Sequence, residues 1–126
     1  MRNGPNHVTE RAQTDRRVLV IVPAYNEAGR IGQALADLAA HAPWADVVVI
    51  DDGSADATAA KAAAGGAAVL RLPFNLGVGG AMQTGYLYAA ECGYDAAGQF
   101  DGDGQHRADQ IAALLAAMDE GGDLII

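Results

Sequence analysis

Asp101-Gly-Asp-Gly-Gln-His106 sets two carboxylates two residues apart. In an extended segment, residues i and i+2 share a side. Asp101 and Asp103 can therefore aim at one point, and Gly102 and Gly104 keep side chains away from it. Convergent carboxylates repel unless a cation lies between them or one is protonated. A divalent ion with oxygen ligands, Mg2+ or Mn2+, relieves that repulsion and bridges carboxylates to substrate phosphates. A plain turn is the competing reading, because Asp and Gly are frequent turn residues.

The same segment admits two other reactive readings. An EF-hand loop requires an acid or Asn at position five and Gly at six, but those places hold Gln105 and His106. The Asp-x-Asp-x-Thr/Val motif of haloacid-dehalogenase-type phosphatases departs at Gln105 and belongs after a first strand. A phosphatase-like hydrolase stays open as an alternative.

Two further polar clusters follow apolar runs. Pro23-Ala-Tyr-Asn-Glu27 comes after Val18-Leu-Val-Ile-Val22, and Asp51-Asp-Gly-Ser54 comes after Val47-Val-Val-Ile50. Tyr25 can stack on a base or pack as a half-buried ring. Asp51 and Asp52 can accept a ring N–H of uracil or guanine, or cap the next helix. Asn75-Leu-Gly-Val-Gly-Gly-Ala81 approaches the dinucleotide fingerprint G-x-G-x-x-G, but Met82 holds the third glycine position. It reads as a tight turn with close helix packing. His106 reads as a cap or exposed residue, Cys92 as packing, and His41 and Trp44 as a surface turn.

These clusters need elements to position them. The two apolar runs suit strands buried on both faces. Ile31, Leu35 and Leu38 form one stripe of a helix over about residues 27–40. Ser54 or Asp56 can cap an alanine-rich helix ending at Gly65-Gly66. Residues 67–72 read as a third strand, 80–92 as a third helix and 95–100 as a weak fourth strand. Ile111, Leu114, Leu115 and Met118 stripe a fourth helix opened by Asp109, and Asp123-Leu-Ile-Ile126 begins a fifth strand. Alternating strand and helix predicts an α/β fold: a Rossmann-like three-layer sandwich with a mainly parallel sheet. Ligands of such sheets bind beyond the carboxyl ends of the strands, where all three polar clusters fall. Residues 1–16 read as a flexible tail and 17–126 as one domain. The stop in an apolar strand predicts that the fold continues, and that the unpaired edge promotes self-association.

Composition narrows the function. The 126 residues are 51% hydrophobic, which excludes a disordered chain. Sixteen acidic residues against eight basic ones give a charge of −8, a poor match for nucleic acid. A phosphorylated ligand would need a cation from elsewhere. A single cysteine permits no internal disulfide and points to a reducing, cytoplasmic compartment. No apolar run approaches the ~20 residues of a membrane span.

Four motifs in order carry a resemblance: Val-Pro-Ala-Tyr-Asn-Glu over 22–27, Val-Ile-Asp-Asp-Gly-Ser-x-Asp-x-Thr over 49–58, Asn-x-Gly-x-Gly-Gly-Ala over 75–81, and Asp-Gly-Asp-Gly-Gln-His over 101–106. Together they resemble family 2 glycosyltransferases, in the branch of dolichol-phosphate mannosyltransferases and bacterial polyprenyl-phosphate glycosyltransferases. The resemblance implies an A-type glycosyltransferase fold, a UDP- or GDP-linked sugar donor, a divalent ion, and a polyprenyl-phosphate acceptor at the cytoplasmic face of a membrane. It also implies that Pro23, Tyr25 and Glu27 line the nucleoside pocket and that Asp52 contacts the base. Asp101, Asp103 and Gln105 would hold the ion. Family domains are roughly twice this long, so the chain reads as the donor-binding part, with any catalytic base outside it. A nucleotide- or metal-binding module without turnover is the other alternative.

Overall fold

The computed structural model describes residues 17–101. Within them strand and helix alternate: β1 Val18–Ala24, α1 Ile31–His41, β2 Asp46–Asp51, α2 Thr58–Ala64, β3 Ala68–Arg71, α3 Gly77–Glu91 and β4 Ala96–Gln99. The sheet is parallel throughout, in the order β3-β2-β1-β4. The helix expected around 109–118, the strand begun at 123–126 and the tail over 1–16 lie outside the described residues.

Side-chain alternation along β1 builds two cores. Val18, Val20, Val22 and Ala24 meet Ile31, Ala34, Leu35 and Leu38 of α1 and Ala62 of α2. Leu19 and Ile21 face the other way, against Ala81, Met82 and Ala89 of α3. The sheet is thus the middle of three layers, and β1 is apolar on both faces because both faces are covered.

The element boundaries differ from expectation for local reasons. α1 starts at Ile31 and not near Glu27. Asn26 lies in the left-handed region at φ 52, which no helix tolerates. The carbonyl of Glu27 then accepts the N–H groups of Arg30 and Ile31, making a turn before the helix. β1 runs through Pro23, whose missing N–H would interrupt an interior strand. Its pairing with β4 ends at Ile21 and Gln99, so that side of β1 needs no donor at Pro23. Neither Ser54 nor Asp56 occupies the cap position of α2, which belongs to Ala57.

Candidate functional site

Counting outward from β1, the chain first moves one way to β2 and β3, then returns to place β4 on the other side. The carboxyl ends of β1 and β4 therefore flank the switch point, where open α/β sheets bind ligands. Two residues beyond the Ile21–Gln99 pair come Pro23 on β1 and Asp101 after β4. Tyr25 follows Pro23 and is 49% exposed, so its ring is open to a ligand.

Hydrogen bonds sew the loop after β1 to the loop after β2. The Asn26 N–H donates to the Ser54 hydroxyl at 2.8 Å, and the Asn26 amide oxygen accepts the Ala55 N–H at 2.9 Å. Glu27 N–H donates to the Thr58 hydroxyl at 2.9 Å, and Ala28 N–H to the Asp56 carboxylate at 3.2 Å. Asp56 also accepts the Thr58 backbone N–H and, in a short bond, its hydroxyl. The Thr58 hydroxyl bond, foremost, holds the Asp56 carboxyl below its ordinary value, although burial pushes the other way. The Ser54 and Asp56 side chains thus serve this seam, while Tyr25 stands free of it.

The two consecutive acids are both taken into the fold. Asp51 is 1% exposed; one oxygen accepts the Ser54 N–H at 3.1 Å and the other lies 3.5 Å from Arg71 Nε. Asp52 accepts the N–H groups of Leu76 at 2.7 Å and Gly77 at 2.9 Å, and the Asn75 side-chain amide at 3.1 Å. Hydrogen bonds to a charged group contribute about 1.5–3 kcal/mol each, so this carboxylate is a major tie between β2 and the start of α3. The glycine-rich turn is accordingly no phosphate cradle in this arrangement. Its helix terminus already holds an anion, the protein's own.

Glu27 is held by Arg30 through Nε at 2.9 Å and Nη2 at 2.8 Å. Arg30 is largely exposed, so the pair adds about 0–1 kcal/mol and mainly orients Glu27. Among the described residues, Arg30 and Arg71 are the cations at this end of the sheet, and each faces a carboxylate. Charge on a bound diphosphate would thus need another counter-ion. No group of three His, Cys, Asp or Glu side chains able to hold a metal occurs among the described residues. Asp101 is the described member of the expected ion site; Asp103 and Gln105 lie outside the described residues. Their donor set, carboxylate and amide oxygens, is the type that suits Mg2+ or Mn2+.

A cavity of about 480 Å³ opens at the opposite end of the sheet, with Asp46, Ala68, Leu38 and Tyr94 in its wall. It is far from the switch point and is not part of this site. Sequence reasoning gave no role to Asn26 or Asn75. The left-handed backbone and loop-to-loop bonds that involve them leave no periodic signature.

The Glycosyl transferase family 2 profile matches residues 19–126, and the chain belongs to that family. It is 37% identical over 115 residues to an undecaprenyl-phosphate mannosyltransferase of Micrococcus luteus, covering 87% of this chain and 47% of that protein. Among solved structures it is similar to glucosyl-3-phosphoglycerate synthase of Mycobacterium tuberculosis in complex with Mn2+, UDP-glucose and phosphoglyceric acid. That match has a TM-score of 0.60 and 27% identity, covering 82% of this chain and 39% of the other. A mannosyltransferase of Pyrobaculum calidifontis in complex with GDP-Man and Mn2+ matches with a TM-score of 0.54 and 28% identity, over 58% of this chain and 24% of the other. The expected family and the expected A-type glycosyltransferase fold are thereby established. The chain spans about half the length of the curated relatives it matches.

Proposed function

We propose that this chain is the nucleotide-sugar-binding part of a metal-dependent glycosyltransferase whose acceptor is a polyprenyl phosphate. The carrying observation is the switch point between β1 and β4, where Pro23 and Asp101 each lie two residues beyond the Ile21–Gln99 pair and an exposed Tyr25 follows on a sewn loop. Tyr25 stacks on the base, Pro23 shapes the floor beneath it, and Glu27, oriented by Arg30, hydrogen-bonds the nucleoside. Asp101, Asp103 and Gln105 hold Mg2+ or Mn2+ on the donor diphosphate. When bound, the ion supplies a Lewis acid where charge develops on the departing nucleoside diphosphate. The protein's own contribution is to hold the donor in one orientation, since proximity can lower a barrier by roughly 7–11 kcal/mol.

The acceptor assignment is supported by the similarity to an undecaprenyl-phosphate enzyme, and it puts the work at the cytoplasmic face of a membrane. No helix among the described residues is long and apolar enough to cross one.

The test is calorimetric titration of GDP and UDP into the chain with Mn2+ and with EDTA. Chelation should weaken binding by about tenfold or more, ~1.4 kcal/mol, and Asp103→Asn should reproduce the loss without lowering thermal stability. Equal affinity in EDTA overturns the proposal.

A further inference from the structure

Thr58 opens α2 and is wholly buried. Its hydroxyl does not cap its own helix, which has no side-chain cap bond. The oxygen instead accepts the N–H of Glu27, 31 positions earlier, at 2.9 Å, and the hydroxyl proton goes to the Asp56 carboxylate. A hydroxyl has one donor and two acceptor sites. With its donor committed to Asp56, Thr58 presents only acceptor capacity to the loop after β1. Asp56 fixes that direction: the same oxygen accepts the Thr58 N–H at 3.0 Å, and its other oxygen accepts the Ala28 N–H at 3.2 Å.

Glu27 is thereby held at three points. Its N–H rests on Thr58, its carbonyl accepts the N–H groups of Arg30 at 2.9 Å and Ile31 at 2.8 Å, and its carboxylate lies on Arg30. At the other end of the same turn, the Ala24 carbonyl accepts the Asp52 N–H at 2.8 Å. Only Tyr25 and Asn26 lie between these two anchors. The exposed ring of Tyr25 therefore takes its place from the anchors on either side, and not from packing of its own. If the Thr58 oxygen is removed, the part-buried Glu27 N–H loses its partner. An unpaired buried donor is costly, so the turn must shift to satisfy it. None of these bonds runs to the end of β4, where Asp101 stands.

We infer that the Thr58 hydroxyl is a positioning group of the donor site: directed by Asp56, it holds the Glu27 backbone so that Tyr25 and the Glu27 carboxylate face the nucleoside, and it touches no ligand itself. This rests on the donor-site reading above. It also separates the two ends of the ligand. Thr58 acts on the nucleoside side of the crevice, while the ion acts on the phosphate side.

The experiment measures Kd for UDP and GDP, each in Mn2+ and in EDTA, on the chain and on Thr58→Val, Thr58→Ser and Asp56→Ala, at a temperature where each is fully folded. Thr58→Val keeps the shape and removes the hydroxyl; it should weaken both nucleotides by about tenfold. Thr58→Ser keeps the hydroxyl and should bind as the unsubstituted chain does. The fold-loss on chelation should be the same in Thr58→Val as in the chain, because distant sites act independently. Asp56→Ala should reproduce part of the nucleotide loss, and it keeps the test open if Thr58→Val fails to fold. A purely architectural threonine would shift the unfolding midpoint and leave Kd in the folded protein unchanged. Unchanged Kd in the hydroxyl-free variant, an equal loss in Thr58→Ser, or a chelation effect that disappears with the hydroxyl overturns the inference and leaves the donor reading intact. Failure of the unsubstituted chain to bind either nucleotide overturns both.

Discussion

Gly85 of α3 lies against Ile21 of β1 so closely that a Cβ on it would sit 2.4 Å from the Ile21 Cγ2 and 3.0 Å from its Cδ1. Ile21 is wholly buried and has no room to retreat. Gly85→Ala should therefore destabilise the chain by about 1–3 kcal/mol, the range for overpacked cores. Gly79→Ala in the same helix meets nothing within 4 Å and should stabilise by about 0.4–1 kcal/mol. Urea denaturation of the two variants should shift in opposite directions.

Asn26 offers a test of the seam between the first two loops. Alanine at φ 52 bears the left-handed penalty of roughly 1–2 kcal/mol, whereas glycine does not. Both substitutions lose the bond to Ala55. Asn26→Gly should thus keep a higher unfolding midpoint than Asn26→Ala, and equal midpoints would show that the backbone conformation carries no cost.

Asp56 predicts an acid response. Its carboxyl is held below the ordinary value of 3.8, first by the Thr58 hydroxyl bond. The native state then binds fewer protons than the unfolded chain, so the stabilisation is complete above 3.8 and is lost as pH falls through the lower native value. The stability gap between the chain and Asp56→Asn should be largest at neutral pH and close as pH is lowered through that window. A gap independent of pH would rule this out.

Tyr94 predicts an alkaline one. Burial, followed by its 2.7 Å hydrogen bond to Asp46, raises the phenol from 10.0 to about 12. The stability tied to its neutral form is intact below 10.0 and is lost between 10.0 and about 12. Ultraviolet titration should show one tyrosine ionising near the upper limit, absent from Tyr94→Phe.

Periodicity made the layers legible. The unbroken runs Val18–Val22 and Val47–Ile50 became β1 and β2, and the Ile31, Leu35, Leu38 stripe became the buried face of α1. Helix starts were less legible, because they depend on bonds between segments distant in sequence. α1 begins late because Asn26, Glu27 and Ala28 are tied to residues 54–58. α3 begins at Gly77, before the expected Gly80, because Asp52 meets its first N–H groups. The same limitation applies to the site. Spacing could bring Asp51 and Asp52 to a strand end, but not show that both carboxylates turn inward to partners of their own.

The place of β1 in the sheet order has a consequence during synthesis. β1 lies between β2 and β4, and its partner residues in β4 follow 78 positions later, as Arg17 and Asp95 do where backbone meets carboxylate. At translation rates of roughly 5–20 residues per second, the Val18–Ile21 edge stays unpaired for roughly 4–16 seconds after it is made. A nascent chain in that interval displays a continuous apolar strand with one ladder open. Ribosome-bound chaperones that recognise short extended apolar segments should engage this chain early and release it once Gln99 has cleared the exit tunnel.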